Sequence, residues 1–166
     1  MEQTETYKKA LEFATKKHAG QVRKEGIPYV THPIAVAEML KEQGFGEKYQ
    51  IAGLFHDLLE DTDATEEEIL TLSDIEVLTA VKCLTKQDGY VMADYISAIR
   101  QNEIAFRVKA ADRLHNLRCA VVASEKFKKK YILESIEWYM DFCPEIPKAI
   151  KELSKTLETP MENLPF

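Results

Sequence analysis

Apolar residues recur along the chain three and four positions apart rather than at every second position. No Val/Ile/Thr-rich run bounded by turn residues reads as a strand, so the pattern predicts an all-α protein. A first helix is expected from about Thr4 to Ala19, with Tyr7, Leu11 and Ala14 on one side. The segment GQVRKEGIPYVTHP then breaks the period with glycine and proline and reads as an ordered loop. A second helix is expected after Thr31 or His32, where Pro33 suits the first helical position, and it carries Ile34, Val36, Ala37 and Leu40 to a stop at QGFG. A third holds LFHDLLEDT, residues 54 to 62, and further helices are expected near 65–72, 74–84, 90–101, 103–122, 127–142 and 145–157. That makes a helical bundle of eight or nine helices, with no internal repeat; the basic run EKFKKK reads as a solvated face.

Two of these helices carry acids on one face. With His56 as origin and about 100° per residue, Glu60, Asp57 and Asp61 fall within an arc of roughly 140°, opposite Leu58, Ile51, Phe55 and Leu59. Taken alone, this describes either an amphipathic helix with a wet acidic face or a site. Gly53 lies in the same arc, where it weakens the helix and is useful if something must approach the backbone closely. In IAFRVKAADRLHNLRCAV, Asp112 has Asn116, Lys109 and Ala105 beside it, while Ala110, Leu114, Leu117 and Val121 collect across the helix. Solvation, or pairing with Arg113 or Arg107, would explain that acid equally well.

Length and composition narrow the classes. At 166 residues and 45% hydrophobic content, the chain can bury one core and is expected to form a single domain over residues 1–166. A net charge of −6 with no basic arm argues against a nucleic-acid polymer as partner, but leaves room for a small phosphorylated ligand met by local cations or a metal. Cys83, Cys119 and Cys143 are odd in number and far apart, which points to free thiols rather than a disulfide framework. No apolar run approaches the roughly 18 residues of a membrane span and no leader-like start is visible, so a cytoplasmic, soluble protein with no membrane partner is expected. The oligomeric state is not legible.

Together, His32 at a helix start, the adjacent His56 and Asp57, and Asp112 on a late helix form a mixed nitrogen and oxygen donor set suited to manganese, iron or zinc. Such an ion would supply a nucleophilic hydroxide and a Lewis acid for a phosphoryl oxygen. Spacing alone does not establish it.

The segments RKEGIPYVTHP, LFHDLLEDT and VKAADRLHNLR resemble the three signatures of the HD superfamily of metal phosphohydrolases. More narrowly, they resemble the hydrolase domain of the RelA/SpoT alarmone enzymes and the free-standing small alarmone hydrolases, over about residues 7 to 120. The resemblance implies an HD-domain bundle in which His32, His56, Asp57 and Asp112 bind a divalent metal ion. Manganese is the ion it implies first, with iron, zinc, cobalt or nickel as alternatives. It implies that Glu60 and Asp61 position and activate the attacking water, that Arg23 and Lys24 lie against the nucleotide, and that Asn116 reaches its sugar. His18 and His115 are not ligands in that pattern and are read as structural. Cys119 and Ile27 depart from the long alarmone enzymes, which usually have a threonine and a polar residue there. The implied activity is removal of the 3′-pyrophosphate from (p)ppGpp, yielding GDP or GTP and pyrophosphate. The alternatives are a nucleotidase or pyrophosphatase of the same superfamily acting on another small phosphorylated substrate, and a module that binds a nucleotide without chemistry.

Overall fold

The structure, a computed structural model, describes residues 2–166 and is built of helices, with no strand among the described residues. Its backbone groups into two compact units, one running through Ala111 and the other Asp112–Phe166.

In the first unit, α1 (Glu5–Lys17) begins where the Thr4 hydroxyl accepts a hydrogen bond from the Tyr7 amide at 3.1 Å. It buries Tyr7, Ala10 and Ala14, a stripe at helical spacing. The loop that follows is held as a short hairpin. Val22 pairs with Pro28, the Arg23 amide donates to the Ile27 carbonyl at 2.6 Å, and the Tyr29 amide donates to the Gln21 carbonyl at 2.9 Å. Gly26 turns the tip with φ +77, a conformation that favours glycine. α2 (Thr31–Glu42) follows, and then α3 (Glu47–Phe55), α4 (Leu58–Asp61), α5 (Glu66–Leu72), α6 (Ile75–Leu84) and α7 (Met92–Arg100). The start of α5 is fixed by a reciprocal pair of hydrogen bonds between Thr65 and Glu68, and that of α6 by Asp74 accepting from the Val77 amide.

α3 is the centre of this unit and packs against α1, α2 and α6. Gly53 lets α2 come close: a Cβ there would meet the Leu40 Cδ1 at 3.2 Å, the Ala37 amide nitrogen at 3.3 Å and the Val36 Cγ1 at 3.3 Å. The glycine that the wheel placed on a polar face is therefore buried under a neighbouring helix, and what approaches its backbone is the helix bearing His32.

α8 (Glu103–Cys119) contributes residues to both units, and in the second it is followed by a 3₁₀ turn (Ala120–Val122), α9 (Glu125–Trp138) and α10 (Glu145–Ser154). α9 packs on α10 around Ile132, Ile146, Ile150 and Leu153. Arg113 is buried between the rings of Tyr131 and Tyr139, 4.2 and 4.1 Å from their centroids, and donates to Glu134 at 2.7 Å. The sequence pattern carries LFHDLLEDT, residues 54 to 62, on one helix. The structure interrupts it at His56 and Asp57, where Asp57 adopts φ −117 and ψ 7, so the described residues hold ten α-helices, or nine with that stretch counted as one.

Candidate active site

The interruption between α3 and α4 builds the site. Asp57 leaves the helical wheel there, and both it and His56 turn inward, 8% and 7% exposed. His32, in the first turn of α2, is 1% exposed. The ring centroids of His32 and His56 lie 5.2 Å apart, and one ligand atom from each of His32, His56 and Asp57 falls within 4.8 Å of the others. These three acid and imidazole groups are not a wet face.

The surrounding hydrogen bonds suit a cation. The Nδ1 of His56 sits 2.7 Å from the Gly53 carbonyl oxygen, which can only accept, so Nδ1 carries the proton and Nε2 keeps a lone pair for a metal. The Tyr29 hydroxyl donates a short hydrogen bond to Asp57 Oδ2. Oδ1 of Asp57 is buried with no well-aligned donor, although His18 Nε2 stands 3.2 Å from it. A buried carboxylate oxygen with unused acceptor capacity beside two buried imidazoles is a donor set that fits a divalent cation. Burial opposes the charge on Asp57, but the neighbouring His56, the close approach of His18 and the hydrogen bond from Tyr29 outweigh it, and hold the carboxyl well below the usual carboxylate range. His18 is likewise disfavoured as a cation by burial, yet Asp57 and Gln21 together raise its pKa above the ordinary value.

The other expected residues sit as follows. Glu60 is exposed on α4, and its carboxylate accepts from the Lys86 amide at 2.7 Å. Asp61 is pushed up, by partial burial and then by the charges of Asp57 and Glu60. Arg23 and Lys24 lie at the tip of the hairpin loop, with the Arg23 guanidinium 5.9 Å from the centre of the Tyr29 ring. In the second unit Asp112 is buried, 7% exposed, and accepts from the Asn116 side-chain amide one turn away at 3.0 Å. Arg113 pairs with Glu134 and Arg107 with Glu103. His115 lies 3.5 Å from the Cys119 sulfur, and all three cysteines are free.

Three residues around Asp57 escaped the sequence reading: His18, set aside as structural, Gln21 and Tyr29. The available signal was weak: His18 and Gln21 stand three apart where the first helix ends, and Tyr29 lies three before His32. Nothing in that spacing says that a loop folds back on residue 57.

Among the described residues no helix is long and apolar enough to cross a membrane. The chain is 36% identical over 157 residues to a guanosine-3′,5′-bis(diphosphate) 3′-pyrophosphohydrolase of Spiroplasma citri, matching 87% of this chain and 21% of that protein. It is 36% identical over 143 residues to a protein of the same name from Aquifex aeolicus (81% and 20%), and 34% identical over 173 residues to a GTP pyrophosphokinase of Myxococcus xanthus (96% and 22%). The chain thus spans about a fifth of the length of these curated relatives. A solved structure described as a metazoan ortholog of SpoT that hydrolyzes ppGpp superposes with a TM-score of 0.76 at 22% identity, covering 93% of this chain and 97% of that one, and so shares the fold. The family model described as HD domain matches residues 10–142, a span that contains His32, the His56–Asp57 pair and Asp112. With that match over most of its length, the chain belongs to the HD domain family.

Proposed function

We propose that this chain, acting as one HD domain, is a metal-dependent phosphohydrolase that removes the 3′-pyrophosphate from (p)ppGpp, leaving GDP or GTP and pyrophosphate. The observation that carries the reading is the buried His32, His56 and Asp57 cluster, with Asp57 held ionised and two further acids, Glu60 and Asp61, on the next turn. The names of the Spiroplasma and Aquifex relatives support the substrate.

We assign the fourth ligand to Asp112 and the ion to manganese, which this oxygen and nitrogen donor set suits. When bound, such an ion supplies a Lewis acid and lowers the pKa of a water molecule. The chain's own groups do the rest. Glu60 orients the attacking water and accepts its proton as the oxygen bonds to the phosphorus attached at the 3′ position. The bond from that phosphorus to the 3′ oxygen breaks, and the leaving oxygen takes up a proton. Asp61, whose pKa is raised by partial burial and by the charges of Asp57 and Glu60, stands beside Glu60 as a second acid for the proton leaving the water. Arg23 and Lys24 supply the cationic contacts for a nucleotide that a chain of net charge −6 otherwise lacks. Asn116 is assigned to the sugar.

The test incubates manganese-loaded protein with ppGpp and with a panel of other phosphorylated nucleotides, reading pyrophosphate release. Turnover of ppGpp, lost by about a hundredfold or more in Glu60→Gln while manganese affinity is kept, supports the assignment. Turnover of other nucleotides with none of ppGpp removes the alarmone substrate, and no turnover of any of them removes the enzyme.

A further inference from the structure

Gln21 is a half-buried side chain with both ends occupied. Its carboxamide oxygen lies 2.8 Å from His18 Nδ1, and its amide nitrogen donates to the Asp61 main-chain carbonyl at 3.0 Å. Its own carbonyl accepts from the Tyr29 amide at 2.9 Å. Each of these three contacts leads to an acid of the site. His18 presents Nε2 to Asp57 Oδ1 at 3.2 Å, Tyr29 gives its hydroxyl to Asp57 Oδ2, and the Asp61 backbone positions the Asp61 carboxyl directly. The rings of His18 and Tyr29 lean on one another, with centroids 4.9 Å apart, so the two groups gripping Asp57 also brace each other.

Such an arrangement is more than a helix end needs. A carboxylate free to rotate about its χ2 presents either oxygen in a range of directions. One held by a separate group at each oxygen has its plane set before any cation arrives. The short but poorly aligned approach of His18 restrains Oδ1 without using up its acceptor capacity. The same glutamine ties the residue gripping Oδ1 to the backbone of the acid four residues further on.

We propose that Gln21 and His18 are positioning residues: Gln21 orients His18, His18 with Tyr29 sets the plane of the Asp57 carboxylate for the divalent cation, and the Gln21 amide fixes the distance from that carboxylate to Asp61. The proposal rests on Asp57 being a metal ligand, as in the reading above.

Two readouts test it, manganese affinity by titration calorimetry and turnover of ppGpp, on parent, Gln21→Met, Gln21→Glu and His18→Gln chains. Gln21→Met removes both contacts and keeps the side-chain length. Its manganese affinity is expected to fall about tenfold or more, the usual scale for losing a group that orients a ligand, and excess manganese is expected to restore its turnover only to the level of Gln21→Glu, which shares the lost donor to Asp61. Gln21→Glu keeps an acceptor for His18 and loses the donor to Asp61, so its affinity is expected to stay within about threefold of the parent while turnover falls and excess metal fails to restore it. Manganese affinity in Gln21→Met within about twofold of the parent overturns the proposal, as does equal loss of affinity in both Gln21 variants. His18→Gln is expected to match Gln21→Met in manganese affinity and, with the Gln21 donor to Asp61 kept, to regain turnover in excess manganese; if it does not fold, the two Gln21 variants decide alone, since that residue is only half-buried. A parent chain that binds no manganese removes the metal reading itself. A parent that binds and hydrolyses, with variants that bind equally well, removes the positioning role alone.

Discussion

Replacing Gly53 by alanine sets two magnitudes against each other. Alanine in a helix interior is favoured over glycine by about 1 kcal/mol. The added methyl would meet three atoms at 3.2, 3.3 and 3.3 Å, and one of them is the main-chain nitrogen of Ala37, which cannot rotate away. The other two belong to Leu40 and Val36, both fully buried, where a rotamer change must displace packed neighbours. Overpacking of this kind costs about 1–3 kcal/mol, so the strain outweighs the propensity gain and leaves a net loss of about 1 kcal/mol. For a chain of this size that lowers Tm by about 2–4 °C. Thermal unfolding of metal-free parent and Gly53→Ala, followed by circular dichroism, measures it. The displaced helix is α2, which carries His32, so manganese affinity is expected to fall as well. A Tm at or above that of the parent would refute the reasoning, because α2 would then have yielded without cost and the glycine would be a helix weakness with no packing role.

Asp57 ionises more easily in the fold than in the unfolded chain, so its contribution to stability is complete above about pH 4 and is lost as pH falls below that. Urea midpoints of metal-free parent and Asp57→Asn are therefore expected to differ most at pH 6 and to draw together progressively as pH falls below about 4. Asp61 has the opposite sign: its folded pKa is raised, so its charge destabilises the fold at neutral pH. Asp61→Asn is expected to raise the Tm of the metal-free chain at pH 7 and to leave it unchanged below about pH 4, while reducing turnover of ppGpp. Arg113→Lys keeps a charge but cannot stack between the Tyr131 and Tyr139 rings as a planar guanidinium does, and a loss of about 2 kcal/mol is expected by urea unfolding.

The helices were legible because their signals are local. Thr4 and Pro33 mark starts, the glycines of the 20–26 loop mark a stop, and the apolar period of 3.6 is strongest in α1, α7 and α10. Boundaries moved by a few residues where caps decide them: α9 starts at Glu125 because Ser124 accepts from the Phe127 amide, ahead of the expected 127. The break at His56 and Asp57 was not legible, since LFHDLLEDT continues the period without a glycine or proline. A continuous wheel put both residues on a wet face, whereas the interrupted helix buries them.

The sequence by itself determined the helical class, the family and the acid and imidazole residues to suspect, because periodicity and short signatures are written in nearest neighbours. Only the tertiary structure decided that His32 comes to within reach of His56 and Asp57, and that Gly53 lies close against α2. It also showed that the Asp57 carboxylate meets Tyr29, 28 residues earlier in the loop, and His18 at the end of the first helix. Those are contacts between segments far apart in the chain. They depend on which faces pack, and on the burial and hydrogen bonds that packing imposes, and no local pattern records them.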